Sequence, residues 1–121
     1  MTALKNRRCA PSQGIAKLDT AQVAERLAQL DDWSLAGDAI EARTIEKCFR
    51  FADYHRTMAF GNALAWISHA EDHHPDLAVS YGRCSVRYNT HTVAGLSIND
   101  FICAAKADAL VAAPTGPWPA T

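Results

Sequence analysis

Residues 69–76 read His-Ala-Glu-Asp-His-His-Pro-Asp, and this stretch sets the end of the longest predicted helix. Apolar side chains upstream of it recur on one helical face: Phe60, Ala63, Leu64 and Ile67. Because proline disfavours the helical conformation of the residue before it, the helix is predicted to run from about Ala52 to His74. Gly61 lies inside this helix at a cost of about 1 kcal/mol relative to alanine, which predicts a close packing contact there.

Two predicted β-hairpins flank this helix. Upstream, residues 33–36 and 39–49 form two strands around a Gly-Asp turn. Downstream, residues 77–81 and 84–91 alternate between apolar and polar side chains around a Gly-Arg turn. The downstream hairpin therefore has one apolar face, and His91 lies at the end of its polar side.

Two further helices are predicted, one near each end of the domain. Asp19 or Thr20 can cap a helix that ends near residue 30. Ser97 can cap the last helix, with Asp100 at its third position as in a capping box. The element order α-β-β-α-β-β-α predicts an α+β fold, a four-stranded antiparallel sheet with three helices packed on one face.

The length and composition are those of a single globular domain. The chain has 121 residues, which fits one domain over residues 18–112. A flexible N-terminal tail is predicted over residues 1–17, and a Pro-rich C-terminal tail over residues 113–121. The formal net charge of −1 gives no electrostatic case for binding nucleic acid or an anionic membrane.

Segments that would indicate export or membrane insertion are not recognised in the sequence. No run approaches the roughly 20 apolar residues of a membrane helix, and the N-terminus resembles no secretory signal. The four cysteines form no C-x-x-C pair, so they match neither a zinc knuckle nor a thioredoxin motif. These features predict reduced thiols in a cytoplasmic protein.

Four of the five histidines fall within residues 69–91, and this cluster has three interpretations. The first is a zinc site on His69 and His73, completed by His91, Asp72 or Asp76. The peptidase pattern H-E-x-x-H, however, needs glutamate where Ala70 stands. The second is a polar surface at a helix end, which is also how we interpret His55. The third is acid–base chemistry, for which imidazole is suited near neutral pH.

The same residues resemble the pterin-4a-carbinolamine dehydratase family. The family pattern is a helix-ending His-His-Pro, an aromatic residue six positions later, a histidine ten positions further and an aspartate nine beyond that. In this chain those positions are His73-His74-Pro75, Tyr81, His91 and Asp100. Thr90 precedes that histidine as in the family, and residues 95–101 read Gly-Leu-Ser-Ile-Asn-Asp-Phe. The resemblance covers roughly residues 18–110.

The chain departs from the family pattern in two places. His69 stands where an acidic residue often precedes the histidine pair, and histidine also titrates. Leu77 and Ala78 replace the aromatic residues that animal members carry after the His-His-Pro-acidic run. Contacts made by those aromatic residues to the pterin are therefore not expected in the same form.

The resemblance implies a reaction and a set of site residues. The reaction is loss of water from 4a-hydroxytetrahydropterin to give the quinonoid dihydropterin, which recycles the tetrahydrobiopterin used by aromatic amino acid hydroxylases. His73 and His91 would transfer protons, His74 would position the pterin, and Asp100 would orient His91. Further substrate contacts are assigned to Tyr81, Thr90 and His69. No cofactor and no metal are expected, because protonation activates the leaving group.

Partners and an alternative function also follow from the resemblance. The implied partners are the pterin substrate, a second copy of the chain in a homodimer or homotetramer, and the hydroxylase pathway. Neither nucleic acid nor a membrane is expected. The alternative function is a non-catalytic assembly module or transcriptional cofactor on the same fold.

Overall fold

The structure is a computed structural model that describes residues 3–37 and 43–112. Its helices are α1 (Thr20–Leu27), α2 (Tyr54–Glu71) and α3 (Ile98–Ala112), and its strands are β1 (Ser34–Ala36), β2 (Thr44–Arg50), β3 (Asp76–Ser80) and β4 (Arg83–Tyr88). Short 3-10 turns cover Leu4–Asn6 and His91–Val93. The predicted α+β order is confirmed. The predicted strand residues 39–42, Asp38 of the turn and the tail at 113–121 lie outside the described residues.

The four strands form one antiparallel sheet in the order β1-β2-β4-β3. Alternation along the two central strands sends one set of side chains into the core: Ile45, Phe49, Cys84, Val86 and Tyr88. Helices α2 and α3 cover that face through Phe60, Leu64, Phe101 and Ile102. Within residues 3–37 and 43–112, strand β3 pairs only with β4, and all five of its residues are exposed.

The two outer helices begin as their sequences predict. Asp19 caps α1, and its capping box is completed by Gln22. At the start of α3, the Ser97 backbone N–H donates to the Asp100 carboxylate over 2.9 Å. Leu96 and Phe101 are both buried beside this start, as a hydrophobic staple requires. Capping therefore fixes Asp100 as well as the helix start.

Helix α2 ends three residues before the predicted position. Asp72 adopts the left-handed conformation, with φ of 52°. Its N–H donates to the His69 carbonyl, and the His73 N–H donates to the Ser68 carbonyl, which is the Schellman arrangement. Pro75 limits only the residue before it, so this earlier stop was not predicted. A Cβ at Gly61 would meet nothing within 4 Å, so the predicted close contact is wrong.

Residues 3–12, which belong to the predicted N-terminal tail, pack against the domain. Leu4 is 8% exposed and belongs to the core. The Asn99 side chain donates to the Ala10 carbonyl over 2.8 Å and accepts from the Ala10 N–H over 3.0 Å. The Cys9 N–H donates to Glu71 over 2.7 Å. We call residues 8–12 the N-terminal arm, since these contacts attach them to α2 and α3.

No helix in the described ranges is both long and apolar enough to cross a membrane.

Candidate active site

Three of the four histidines predicted for the site, His73, His74 and His91, meet at one open cavity of about 290 Å³. Its walls are formed by the segment from the C-terminal end of α2 to the start of β3, by the turn after β4 and by the N-terminal arm. Its lining residues are Ser12, Asp72, His73, His74, Pro75, Asp76, Asn89, Thr90, His91 and Thr92. The fold thus brings together three segments that are distant in the sequence, namely residue 12, residues 72–76 and residues 89–92.

His73 is the histidine that the structure holds most firmly. The left-handed turn at Asp72 directs its side chain inward, and His73 is only 7% exposed. Its Nε2 lies 2.7 Å from Oδ1 of Asp100. Its ring stacks on that of Tyr88, with centroids 5.9 Å apart and planes 9° apart. Burial raises the pKa of Tyr88 well above its ordinary value, so the phenol stays neutral beneath the imidazole.

Asp100 is fully buried, and its carboxylate has three hydrogen-bond partners. Oδ1 faces His73, while Oδ2 accepts from the Thr90 hydroxyl over 2.7 Å and from the Ser97 N–H over 2.9 Å. The Ser97 hydroxyl lies 2.7 Å from that of Thr90 and can donate to it. These donors compensate for burying the carboxylate. With Nε2–H donated to Asp100, Nδ1 is the His73 nitrogen left for a bound molecule.

Two predicted roles change when these contacts are considered. Asp100 was predicted to orient His91, but in the structure it contacts His73. Thr90 was assigned to the substrate, yet it is 2% exposed and its hydroxyl is donated to Asp100. His74 and His91 are exposed at the cavity, at the start of β3 and in the 3-10 turn after β4. Thr90 therefore acts on the carboxylate, and the two exposed histidines face solvent.

Tyr81 and His69 do not line the cavity. Tyr81 follows the far end of β3 and is 69% exposed, whereas Asp76 lines the cavity at the near end. Five strand residues separate the two ends by roughly 16 Å. Tyr81 therefore lies away from this cavity in its own chain, and its contact with the substrate stays a prediction. His69 is exposed on α2, where its ring lies 5.9 Å from that of Trp66.

The zinc interpretation required His69 and His73 to lie one helical turn apart. Because α2 ends at Glu71, His73 instead turns into the protein while His69 remains on the helix surface. Within residues 3–37 and 43–112, no group of three histidine, cysteine or carboxylate side chains has a metal-binding arrangement.

Sequence reasoning missed two contributors to the site. Ser12 reaches the cavity because the Thr92 hydroxyl donates to its backbone carbonyl over 3.1 Å. No periodicity or motif marks Ser12, because the arm is neither helix nor strand. The alternation along residues 84–91 puts Tyr88 on the apolar face of its strand, but its position beneath His73 depends on the turn at Asp72.

Together, the fold and cavity define a small α+β protein in which a histidine between α2 and β3 is held by a buried carboxylate on α3. Residues 16–110 match the sequence profile of the family described as pterin 4 alpha carbinolamine dehydratase. Since this match covers most of the chain, the protein belongs to the pterin-4-alpha-carbinolamine dehydratase family.

Two bacterial relatives share most of the chain. A protein of Xanthomonas campestris pv. campestris (strain B100), provisionally named pterin-4-alpha-carbinolamine dehydratase, is 57% identical over 105 residues, 86% of each chain. A protein of Nitrosospira multiformis with the same provisional name is 49% identical over 108 residues, 88% of this chain and 91% of its own.

Two solved structures share the fold. One, from Brucella melitensis, is described as a transcriptional coactivator/pterin dehydratase; it has a TM-score of 0.71 and 30% identity, covering 78% of this chain and 97% of its own. The other is described as a pterin dehydratase-like protein that is a RuBisCO assembly factor in the alpha-carboxysome. It has a TM-score of 0.56 and 25% identity, covering 65% of this chain and 88% of its own.

Proposed function

We propose that this protein is a dehydratase that removes water from 4a-hydroxytetrahydropterin and releases the quinonoid dihydropterin. In the cell this reaction would recycle tetrahydrobiopterin for aromatic amino acid hydroxylases. The observation that carries the proposal is the convergence of His73, His74 and His91 on one cavity, with His73 held by the buried carboxylate of Asp100. Family membership supplies the substrate class.

The reaction cleaves one C–O bond and requires two proton transfers, one to the leaving oxygen and one from the ring. One group donates a proton to the hydroxyl oxygen at C4a, so that water leaves with the electrons of the C–O bond. A second group takes a proton from a ring N–H, whose electrons form the new double bond. We assign these transfers to His73, through Nδ1, and to His91. Each transfer is typically worth about 10²–10⁴-fold in rate.

The remaining residues position these two histidines and the pterin. Asp100 fixes the ring orientation and tautomer of His73, and Thr90 and Ser97 fix Asp100. His74, exposed at the cavity, is assigned to hold the pterin. The residues present can supply both proton transfers, because the leaving group is activated by protonation.

The test is stopped-flow dehydration of a synthetic carbinolamine. Replacing His73 or His91 with alanine is expected to lower kcat by about 10²–10⁴-fold. His55→Ala is the matched control, because His55 is exposed on α2 and does not line the cavity. Wild-type rates in both the His73→Ala and the His91→Ala variants would rule out the proposed mechanism.

The second candidate is a non-catalytic role in transcription or assembly. It is favoured by the descriptions of the two solved relatives, one a coactivator and one an assembly factor. Such a role would use the protein surface and would survive loss of the buried His73–Asp100 contact. A partner that binds wild type and His73→Ala equally would support it, whereas dehydration that depends on His73 supports the enzyme.

A further inference from the structure

Two cysteines outside the cavity lie next to each other across the attachment of the N-terminal arm. The Sγ atoms of Cys9 and Cys103 are 3.5 Å apart, and the two residues are 94 positions apart in the sequence. Cys9 is partly exposed in the arm, and Cys103 is buried in α3. Both are free thiols, so the contact brings together two oxidisable groups from separate segments.

We propose that Cys9 and Cys103 form a reversible disulfide that covalently ties the N-terminal arm to α3. A disulfide bond is about 2.05 Å long, so the sulfur atoms need to approach by roughly 1.5 Å. Rotation of the partly exposed Cys9 side chain, with α3 remaining in place, can supply that movement. The other two cysteines face different surroundings: Cys48 is exposed on the open sheet surface, and Cys84 is buried in the core.

The reaction balances with a small-molecule disulfide such as oxidised glutathione. The Cys9 thiolate attacks one glutathione sulfur, forming a mixed disulfide and expelling one glutathione thiolate. Cys103 then attacks the Cys9 sulfur and expels the second. The two protein thiols lose two electrons and two protons in total, and one oxidised glutathione becomes two reduced molecules.

The environment of Cys103 sets the order of these steps. The hydrogen bond with Cys9 and then burial raise the pKa of Cys103 well above its ordinary value, so it remains a thiol. Cys9 is the more accessible sulfur and therefore reacts first. Once Cys9 is in a mixed disulfide, its thiol is no longer present. The thiol–thiol hydrogen bond, which is the largest cause of the raised pKa of Cys103, is then lost.

The disulfide would restrain the N-terminal arm, which forms one wall of the proposed site. Cys103 lies one helical turn after Asn99, which holds Ala10 through two hydrogen bonds. Ser12, two residues further along the arm, lines the cavity. Oxidation would therefore fix the arm to the helix that also carries Asp100. This consequence for the cavity rests on the proposed function, whereas disulfide formation does not.

The experiment maps disulfides in the full chain after equilibration with oxidised and reduced glutathione, alkylation and tryptic digestion without reductant. Cleavage at lysine and arginine places each cysteine on its own peptide; Cys9 falls in residues 9–17 and Cys103 in residues 88–106. The expected result is a linked pair of these two peptides in wild type and in Cys48→Ser. The linked pair is expected to be lost completely in Cys9→Ser and in Cys103→Ala.

Two controls keep the test independent of activity and of folding. Cys9→Ser alters a partly exposed position, so it remains informative if Cys103→Ala fails to fold. Hydrogen exchange at the amides of Cys9 and Ala10 is expected to slow on oxidation in wild type and not in Cys9→Ser. Recovery of Cys9 only as a glutathione adduct, with Cys103 still alkylated, would overturn the proposal, as would Cys9 linked to Cys48.

Discussion

Asp100 is the residue on which the geometry of the proposed site depends most. Asp100→Asn replaces one carboxylate oxygen with an amide nitrogen, while three donors still point at this side chain. We expect kcat to fall by about 10²-fold or more as His73 loses its fixed orientation. We also expect the free energy of unfolding to fall by about 1–3 kcal/mol, because a buried donor loses its acceptor. Stopped-flow kinetics and urea unfolding measure the two effects.

Asp108→Asn provides the matched control for Asp100→Asn. Asp108 is also on α3, but it accepts from Trp33 over 3.0 Å and from Lys47 over 2.8 Å, away from the histidines. Its replacement is expected to lower stability and leave kcat unchanged. An equal loss of kcat in both variants would show that destabilisation of α3, and not the His73 contact, causes the effect.

At the scale of single residues, spacing predicted which side chains approach one another but not which of them touch. His74 and His91 were placed at element ends, and these ends do meet at the cavity. The partner of Asp100 was predicted wrongly because the choice depends on one backbone conformation. Aspartate tolerates the left-handed region better than most residues, but nothing in the local sequence shows that Asp72 adopts it.

The attachment of the N-terminal arm to α2 is expected to weaken in acid. Glu71 has a side chain only 6% exposed, where it pairs with Arg8 and accepts from the Cys9 N–H. Burial acts to raise the pKa of Glu71, but the Cys9 N–H, Lys106 and Arg8 together lower it below the ordinary 4.5. The ionised carboxylate of Glu71 therefore stabilises the folded protein at pH values above its ordinary pKa. This stabilisation is lost as the pH falls through the lower pKa of the folded state.

Glu71→Gln tests this pH dependence, since the amide oxygen can still accept from Cys9 but carries no charge. Urea unfolding from about pH 7 to about pH 3 should show wild type losing more stability than the variant on the acid side. Parallel curves for the two proteins would contradict the expected role of the Glu71 charge.

Two glycines are expected to respond to alanine in opposite directions. Gly61 lies within α2 with open space where a Cβ would go, so Gly61→Ala should stabilise the protein by about 0.5–1 kcal/mol. At Gly82 a Cβ would come within 2.9 Å of the Phe51 carbonyl oxygen, so Gly82→Ala should destabilise it. Urea unfolding measures both changes, and a destabilising Gly61→Ala would indicate a contact that the structure does not contain.

At the scale of elements, clear capping and alternation patterns in the sequence were sufficient to predict helices and strands. A segment without such a pattern could not be predicted in this way. The capping residues at Asp19 and Ser97 and the alternation in β4 predicted α1, α3 and the sheet face. The arm has no comparable pattern, because its order comes from a tertiary contact: the Asn99 amide binding both backbone groups of Ala10. A side chain 89 residues away in the sequence leaves no local signal.

At the scale of the whole molecule, helices cover one face of the sheet, whereas its β3 edge is exposed. The order β1-β2-β4-β3 places β3 at an edge, with one row of backbone groups unpaired within the described chain. Leu77 is 40% exposed and Val79 is 41% exposed on the same strand. Because the net charge is only −1, little electrostatic repulsion opposes association of two copies.

We therefore predict a homodimer in which the β3 strands of two copies pair edge to edge. The double variant Leu77→Lys and Val79→Lys should convert it to a monomer, since lysine on an edge strand opposes such pairing. Trp66→Lys is the matched control, because Trp66 is 71% exposed on α2, away from this edge. Sedimentation velocity should give a dimer for wild type and for Trp66→Lys. A monomeric wild type, or dissociation by Trp66→Lys alone, would place the contact elsewhere and contradict pairing through β3.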